Sequence, residues 1–207
     1  MKSMKPVKRR NRPSLLLLCL MLLLVFVTVG LLIFNSHFNS IPQIISSTIA
    51  VKKSDPFPAV DPSDLTPVQG KIVALLKQEY ELQPDGTKYS EGIKEAWCAD
   101  FVSWILKEAG QPLENPNSGS WRIPGTFTLR EYYEINGKFK PADSGYIPKV
   151  GDTMLYDNPS PFGQHTNMVI ENENGIITTV GGNEPGGIRV YEHAQPNRAG
   201  FIGYGVL

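Results

Sequence analysis

Cysteine is nearly absent from this chain: among 207 residues only Cys19 and Cys98 carry a thiol, too few for the disulfide framework of a small secreted scaffold. Histidine is as scarce, with His37, His165 and His193 alone, and no Cys and His cluster at the spacing of a zinc site. Acids are missing from the first 13 residues, where Lys2, Lys5, Lys8, Arg9, Arg10 and Arg12 stand unopposed. Charge of either sign is missing from Ser14 to Phe34. There is no internal repeat and no surplus of positive charge to mark a polyanion-binding protein.

An uncharged run of roughly 20 apolar residues suffices to cross a bilayer. The run 14–34 therefore predicts a single transmembrane signal anchor with residues 1–13 as a basic cytoplasmic tail, since positive flanks stay inside. A cleaved signal is the alternative, because "SSTIA" at 46–50 offers small residues, although the apolar region exceeds the usual length of such signals. Cys19 lacks the preceding small residue of a lipoprotein site, Leu18 standing there instead. Everything beyond residue 35 is expected outside the cell, attached to the membrane through the helix.

Setting the six N-terminal cations aside leaves 14 Lys and Arg against 20 Asp and Glu, a balance of −6 for the exported part. That excludes an electrostatic footprint for nucleic acid. Residues 35–64, with "SDPFPAVDPSD", lack an apolar period and read as an extracellular linker. Residues 65–207, about 140 in number, are the usual size of one domain with one core.

Two helices and a set of strands are legible in that domain. Thr66, Pro67 and Gln69 have capping-box spacing with Pro at the first helical position, and Val68, Ile72, Leu75 and Leu76 continue as a helical stripe to about Leu82. A second helix is predicted from about Trp97 to Ala109. Phe101, Val102, Ile105, Leu106 and Ala109 form its inward face, and Gly110 and Pro112 end it. Cys98 lies three and four residues before Phe101 and Val102, hence on that face in the first turn. The positive end of a helix favours an anion there, which suits a thiolate, and its free N–H groups suit an oxyanion.

After Gly151 the rhythm changes to alternation. "DTMLYD", "HTNMVIENENGIITTVGGN", "GIRVYEH" and "FIGYGVL" read as strands, with Asn174-Gly175 as a hairpin turn. His165 opens the long hairpin, whereas His37 is juxtamembrane and His193 trails a strand, so His165 is the candidate base for Cys98. Asn183, just past the paired strand, is the candidate that orients its ring, with Glu184 as the acidic alternative. Trp97, Trp104 and Trp121 are candidates for a groove wall, though aromatics at helical spacing are more often core.

The stretches "AWCADFVSWILKEAG", "GSWRIP", "KVGDTMLYD", "QHTNMVI" and "TTVGGNEPGGIRVYEH" resemble the CHAP domain, the cysteine, histidine-dependent amidohydrolase/peptidase module of bacterial cell-wall hydrolases. The resemblance runs from Leu65 to Leu207. It implies an α+β, papain-like fold in which the cysteine helix packs on a small antiparallel sheet, and hydrolysis of an amide bond in peptidoglycan. Either an N-acetylmuramoyl-L-alanine amidase or a stem or cross-bridge endopeptidase fits. Carried over by position, Cys98 is the nucleophile, His165 the general base and Asn183 the polar third residue; Trp97 and Trp121 as groove walls, and Gln164 beside the histidine, are the candidate substrate contacts. An inactive wall-binding or scaffold module and a protein-processing cysteine peptidase are the alternatives.

Three departures stand out. Gln164 and Thr166 flank the histidine where the family usually has Gly and an aliphatic residue, and Gly181 occupies a position where some members carry an acid. Some relatives bind calcium ahead of the cysteine, but "QPDGTKYSEG" offers only Asp85 and Glu91, fewer acids than such a site takes. No metal and no cofactor are expected.

Overall fold

The computed structural model describes residues 56–160, 163–194 and 199–207. Among these no helix is long and apolar enough to cross a membrane. The run 14–34, on which the anchor was predicted, lies outside them, as do residues 1–13 and most of the linker.

Helix α1 (Pro67–Leu82) begins with the expected capping box, Thr66 accepting from the Gln69 backbone N–H and the Gln69 side chain accepting from that of Thr66. It stops where Gln83 turns left-handed at φ 46. The Gln83 amide then both donates to the Ile188 carbonyl and accepts from the Ile188 N–H, each at 2.9 Å, and so mimics a strand neighbour for the sheet. Helix α2 (Cys98–Glu108) agrees with the predicted span to within a residue at each end. Its face of Phe101, Val102, Ile105 and Leu106 is buried, each at 2% exposure or less.

Helix α3 (Thr126–Ile135) and the short strand β1 (Phe139–Pro141) form in a segment whose sequence shows no helical stripe. Only Leu129 and Tyr133 of α3 are buried. Their spacing of four residues puts both on one side, and the sheet rather than the local pattern holds them. The Tyr133 hydroxyl meets Thr153 Oγ1 at 2.8 Å, and its ring occupies the place of any Cβ at Gly205.

The remaining strands are β2 (Thr153–Tyr156), β3 (His165–Glu173), β4 (Ile176–Glu184), β5 (Gly187–Ala194) and β6 (Phe201–Gly205). Among the described residues the six strands make one antiparallel sheet in the order β1-β6-β2-β3-β4-β5. Asn174 and Gly175, at φ 51 and 78, make the predicted turn between β3 and β4. Leu155, Met168, Ile170, Val180, Ile188 and Val190 join the helices in the main core. Met154, Tyr156, Val169, Ile177 and Tyr204 form a second cluster from alternate positions, hence on the opposite face. The mixed helix and antiparallel sheet is the α+β class expected.

Candidate active site

Cys98 is the first residue of α2 and only 5% exposed. Trp97 precedes it as the cap and contributes no side-chain cap hydrogen bond, so no side chain competes for the N–H groups of the first turn. The Trp97 ring stacks on Tyr89, centroids 5.2 Å apart and planes 18° apart, and meets Phe101 edge-on. It also lies flat against two glycines: a Cβ on Gly86 or Gly182 would fall 2.3 or 2.5 Å from ring atoms. Tyr89 is itself tethered, its hydroxyl donating to buried Glu79 Oε2 at 2.6 Å while Lys88 Nζ donates to both Glu79 oxygens. The start of the helix is thus fixed by packing.

Arg122 fixes the same region by charge, a contact that the sequence reading missed. Its Nε donates to Asp100 Oδ1 at 2.7 Å and its Nη2 to Glu95 Oε1, so one guanidinium joins the loop before Cys98 to the turn after it. Burial pushes the Asp100 carboxyl up to about 6, against the opposing hydrogen bond and charge of Arg122. Two acids that flank a cysteine and an arginine more than 20 residues downstream carry no local signal, since only the fold brings them together.

His165 is the first residue of β3, 5% exposed. Its Nε2 lies 2.6 Å from Glu184 Oε1, and Cys98 is its other hydrogen-bond partner, which leaves Nδ1 to serve the thiol. Burial favours the neutral ring, but the hydrogen bonds to Cys98 and Glu184, with their negative charge, outweigh it and push the imidazole up to about 9. The ring is therefore protonated at neutral pH and set to donate toward Cys98.

The expected role of Asn183 passes to Glu184. In β4 the pairs Gly181↔Arg189 and Glu184↔Gly187 enclose two residues on one strand and one on the other, a bulge. Asn183 takes the left-handed φ of 60 that the bulge requires, is exposed, and makes no side-chain hydrogen bond among the described residues. The extra residue shifts the alternation and turns the Glu184 carboxylate inward, where it is 6% exposed. A Cβ on Gly181 would lie 2.6 Å from Glu184 Oε1. The missing acid at position 181 is therefore the space into which the acid of position 184 folds.

The other candidates divide. Trp97 borders an open cleft with Asp85, Thr87, Ile93, Lys94 and Glu95. Exposed Gln164 lines a small pocket on the histidine side with Phe127, Arg130 and Tyr156. The Trp121 ring lies 4.9 Å from Lys107 Nζ, next in sequence to the Arg122 that joins Glu95 and Asp100. Trp104 packs edge-on against Tyr89. Thr166 donates to the Met154 carbonyl at 2.9 Å, which satisfies the hydroxyl where the family has an aliphatic group.

Asp85 caps the turn Gly86–Lys88 through Thr87, and among the described residues no group of three or more His, Cys, Asp or Glu converges as metal ligands would. A search of curated proteins and one of solved structures gave no match. One family model does match, over residues 88–183, a stretch that runs from the lysine tethering Glu79 through Cys98 and His165 to the left-handed residue of the bulge. The stretch that carries the Cys98 and His165 pair thus matches the model of the CHAP domain.

Proposed function

We propose that this chain is a peptidoglycan hydrolase in which Cys98 is the nucleophile, His165 the general acid and then base, and Glu184 the group that orients the ring. A CHAP domain implies amidohydrolase or peptidase chemistry on the cell wall. The observation that carries the finer reading is the buried chain of contacts from Cys98 through His165 to Glu184. Cys98 Sγ attacks the carbonyl carbon of the scissile amide, and the electron pair of its π bond moves to oxygen. N–H groups at the start of α2 stabilise that oxyanion. The oxyanion collapses, the C–N bond breaks, and His165 gives its proton to the leaving amine. Water then attacks the thioester, its proton returning to His165, and the released Cys98 restores the starting state.

The substrate strand is proposed to run from the cleft beside Trp97 across Cys98 to the pocket beside Gln164. The apolar run 14–34 is proposed to anchor the enzyme and hold it at the membrane-proximal wall, with the linker setting its reach. Purified sacculi test the activity: Cys98→Ala is expected to abolish lysis, and an unchanged rate would sink the enzyme reading in favour of a binding module. New amino termini in the digest distinguish the bonds, an L-alanine terminus marking an amidase and a stem or bridge terminus an endopeptidase.

A further inference from the structure

Asn167 is an anomaly beside the site. It is wholly buried, yet neither its Oδ1 nor its Nδ2 has a hydrogen-bond partner among the described residues. Burying an unpaired amide is unfavourable, and a leucine of nearly the same shape would avoid that loss.

Its place in the ladder explains its presence. Asn167 follows His165 by two residues on β3, so the two share a face, and their partners on β2, Met154 and Tyr156, are likewise two apart. Across the sheet, two side chains converge on the point where a Gly181 side chain would begin. Asn167 Cβ lies 3.2 Å from it and Glu184 Oε1 lies 2.6 Å from it. An asparagine amide stands one bond beyond Cβ, so rotation about its two side-chain torsions carries the N–H donors across that space to the carboxylate. Glycine at 181 keeps the space open.

We infer that Asn167 is a positioning residue: turned about its side-chain torsions from its unpaired orientation, its Nδ2–H donates to the Glu184 carboxylate and fixes the orientation in which that carboxylate accepts from His165 Nε2. The inference rests on the reading of Cys98, His165 and Glu184 as the reacting set. Asn167 touches neither substrate nor thiol and transfers no proton. The titratable groups that face the ring are Cys98 from α2 and Glu184 from β4. Asn167 adds none, so its effect on titration travels through Glu184.

Carboxymethylation of Cys98 by iodoacetate in the full-length protein, followed from neutral to alkaline pH, tests this. The protonated ring draws the anionic reagent, so the rate falls as the ring loses its proton. In Asn167→Leu the midpoint of that fall is expected to move to lower pH by on the order of one unit, the effect of loosening one hydrogen bond to a charged group, while Tm holds or rises. A midpoint that stays in place or moves to higher pH overturns the inference and leaves Asn167 a structural residue. Should Asn167→Leu not fold, Asn167→Ala, which adds no atoms, carries the same two readings. The reagent is not a wall fragment, so the result is independent of lysis. An unsubstituted protein without the alkaline fall sinks the catalytic reading itself, an outcome distinct from failure of the Asn167 role.

Discussion

The two halves of the site are held by different forces. The cysteine half is held by packing: Trp97 lies between Tyr89, Gly86 and Gly182, and the backbone approaches so closely that no Cβ fits under the ring. The histidine half is held by polar geometry, in which a bulge turns Glu184 under His165 and the two meet at 2.6 Å. Packing fixes where the nucleophile sits, whereas the hydrogen bond fixes which tautomer and charge the base carries. Damage to the first half should appear chiefly as lost stability, and damage to the second as lost turnover in a folded protein.

Glu184→Gln sharpens the contrast most. It keeps the shape but removes the charge that holds a proton on His165, and turnover on sacculi is expected to fall about 10²–10⁴-fold while a cooperative melt remains. Trp97→Ala is the mirror case. Loss of the stacked, half-buried indole is expected to cost about 2–4 kcal/mol of unfolding free energy, measurable by denaturant titration. Glu184→Gln also forfeits part of the stability that the raised His165 supplies below about pH 9. The two variants are therefore compared above that pH, where a stability loss from Glu184→Gln as large as that from Trp97→Ala would break the comparison.

Gly181→Ala probes the space between Asn167 and Glu184. Its Cβ would meet the far end of the Glu184 side chain at 2.6 Å, so the carboxylate gives way. Turnover is expected to fall about tenfold, with stability changed by less than about 1 kcal/mol. Asn183→Gly has the smallest expected effect. Glycine adopts the left-handed φ of the bulge freely, so both turnover and stability should stay near those of the natural chain, within about 0.5 kcal/mol. A tenfold loss of turnover would mean that the Asn183 amide takes part in the reaction after all.

The same contrast explains what the sequence made legible. The cysteine half is local in sequence: a capping box, an apolar stripe and a helix start placed Cys98 on the correct face without knowledge of the sheet. The strands and the Asn174-Gly175 turn were equally local signals, and His165 followed as the residue that opens the hairpin. Glu184 was not chosen over Asn183, because strict alternation along β4 says nothing of an inserted residue, and a bulge of one residue reverses which of two neighbours faces inward. Arg122 was missed because its partners Glu95 and Asp100 are remote in sequence. Helix α3 was missed because two buried side chains, Leu129 and Tyr133, are too few to make a stripe.

The pH dependence unites the two halves. His165 titrates near 9 against an ordinary 6.5, so its folded value is raised. Below about 6.5 the ring is protonated in both the folded and the unfolded chain, and its contribution to stability is full. Between those values the unfolded chain loses the proton first, so the contribution, on the order of 3 kcal/mol, shrinks and is gone once pH rises through the folded value. The alkaline limb of activity should fall in the same window. The most direct measurement is an NMR titration of the His165 ring in the unsubstituted protein, assigned by comparison with His165→Gln. A midpoint near 9 is expected, displaced downward in Glu184→Gln and unmoved in Asn183→Gly. A midpoint at or below about 6.5, or one that follows Asn183 instead of Glu184, contradicts the buried Cys98, His165 and Glu184 constellation.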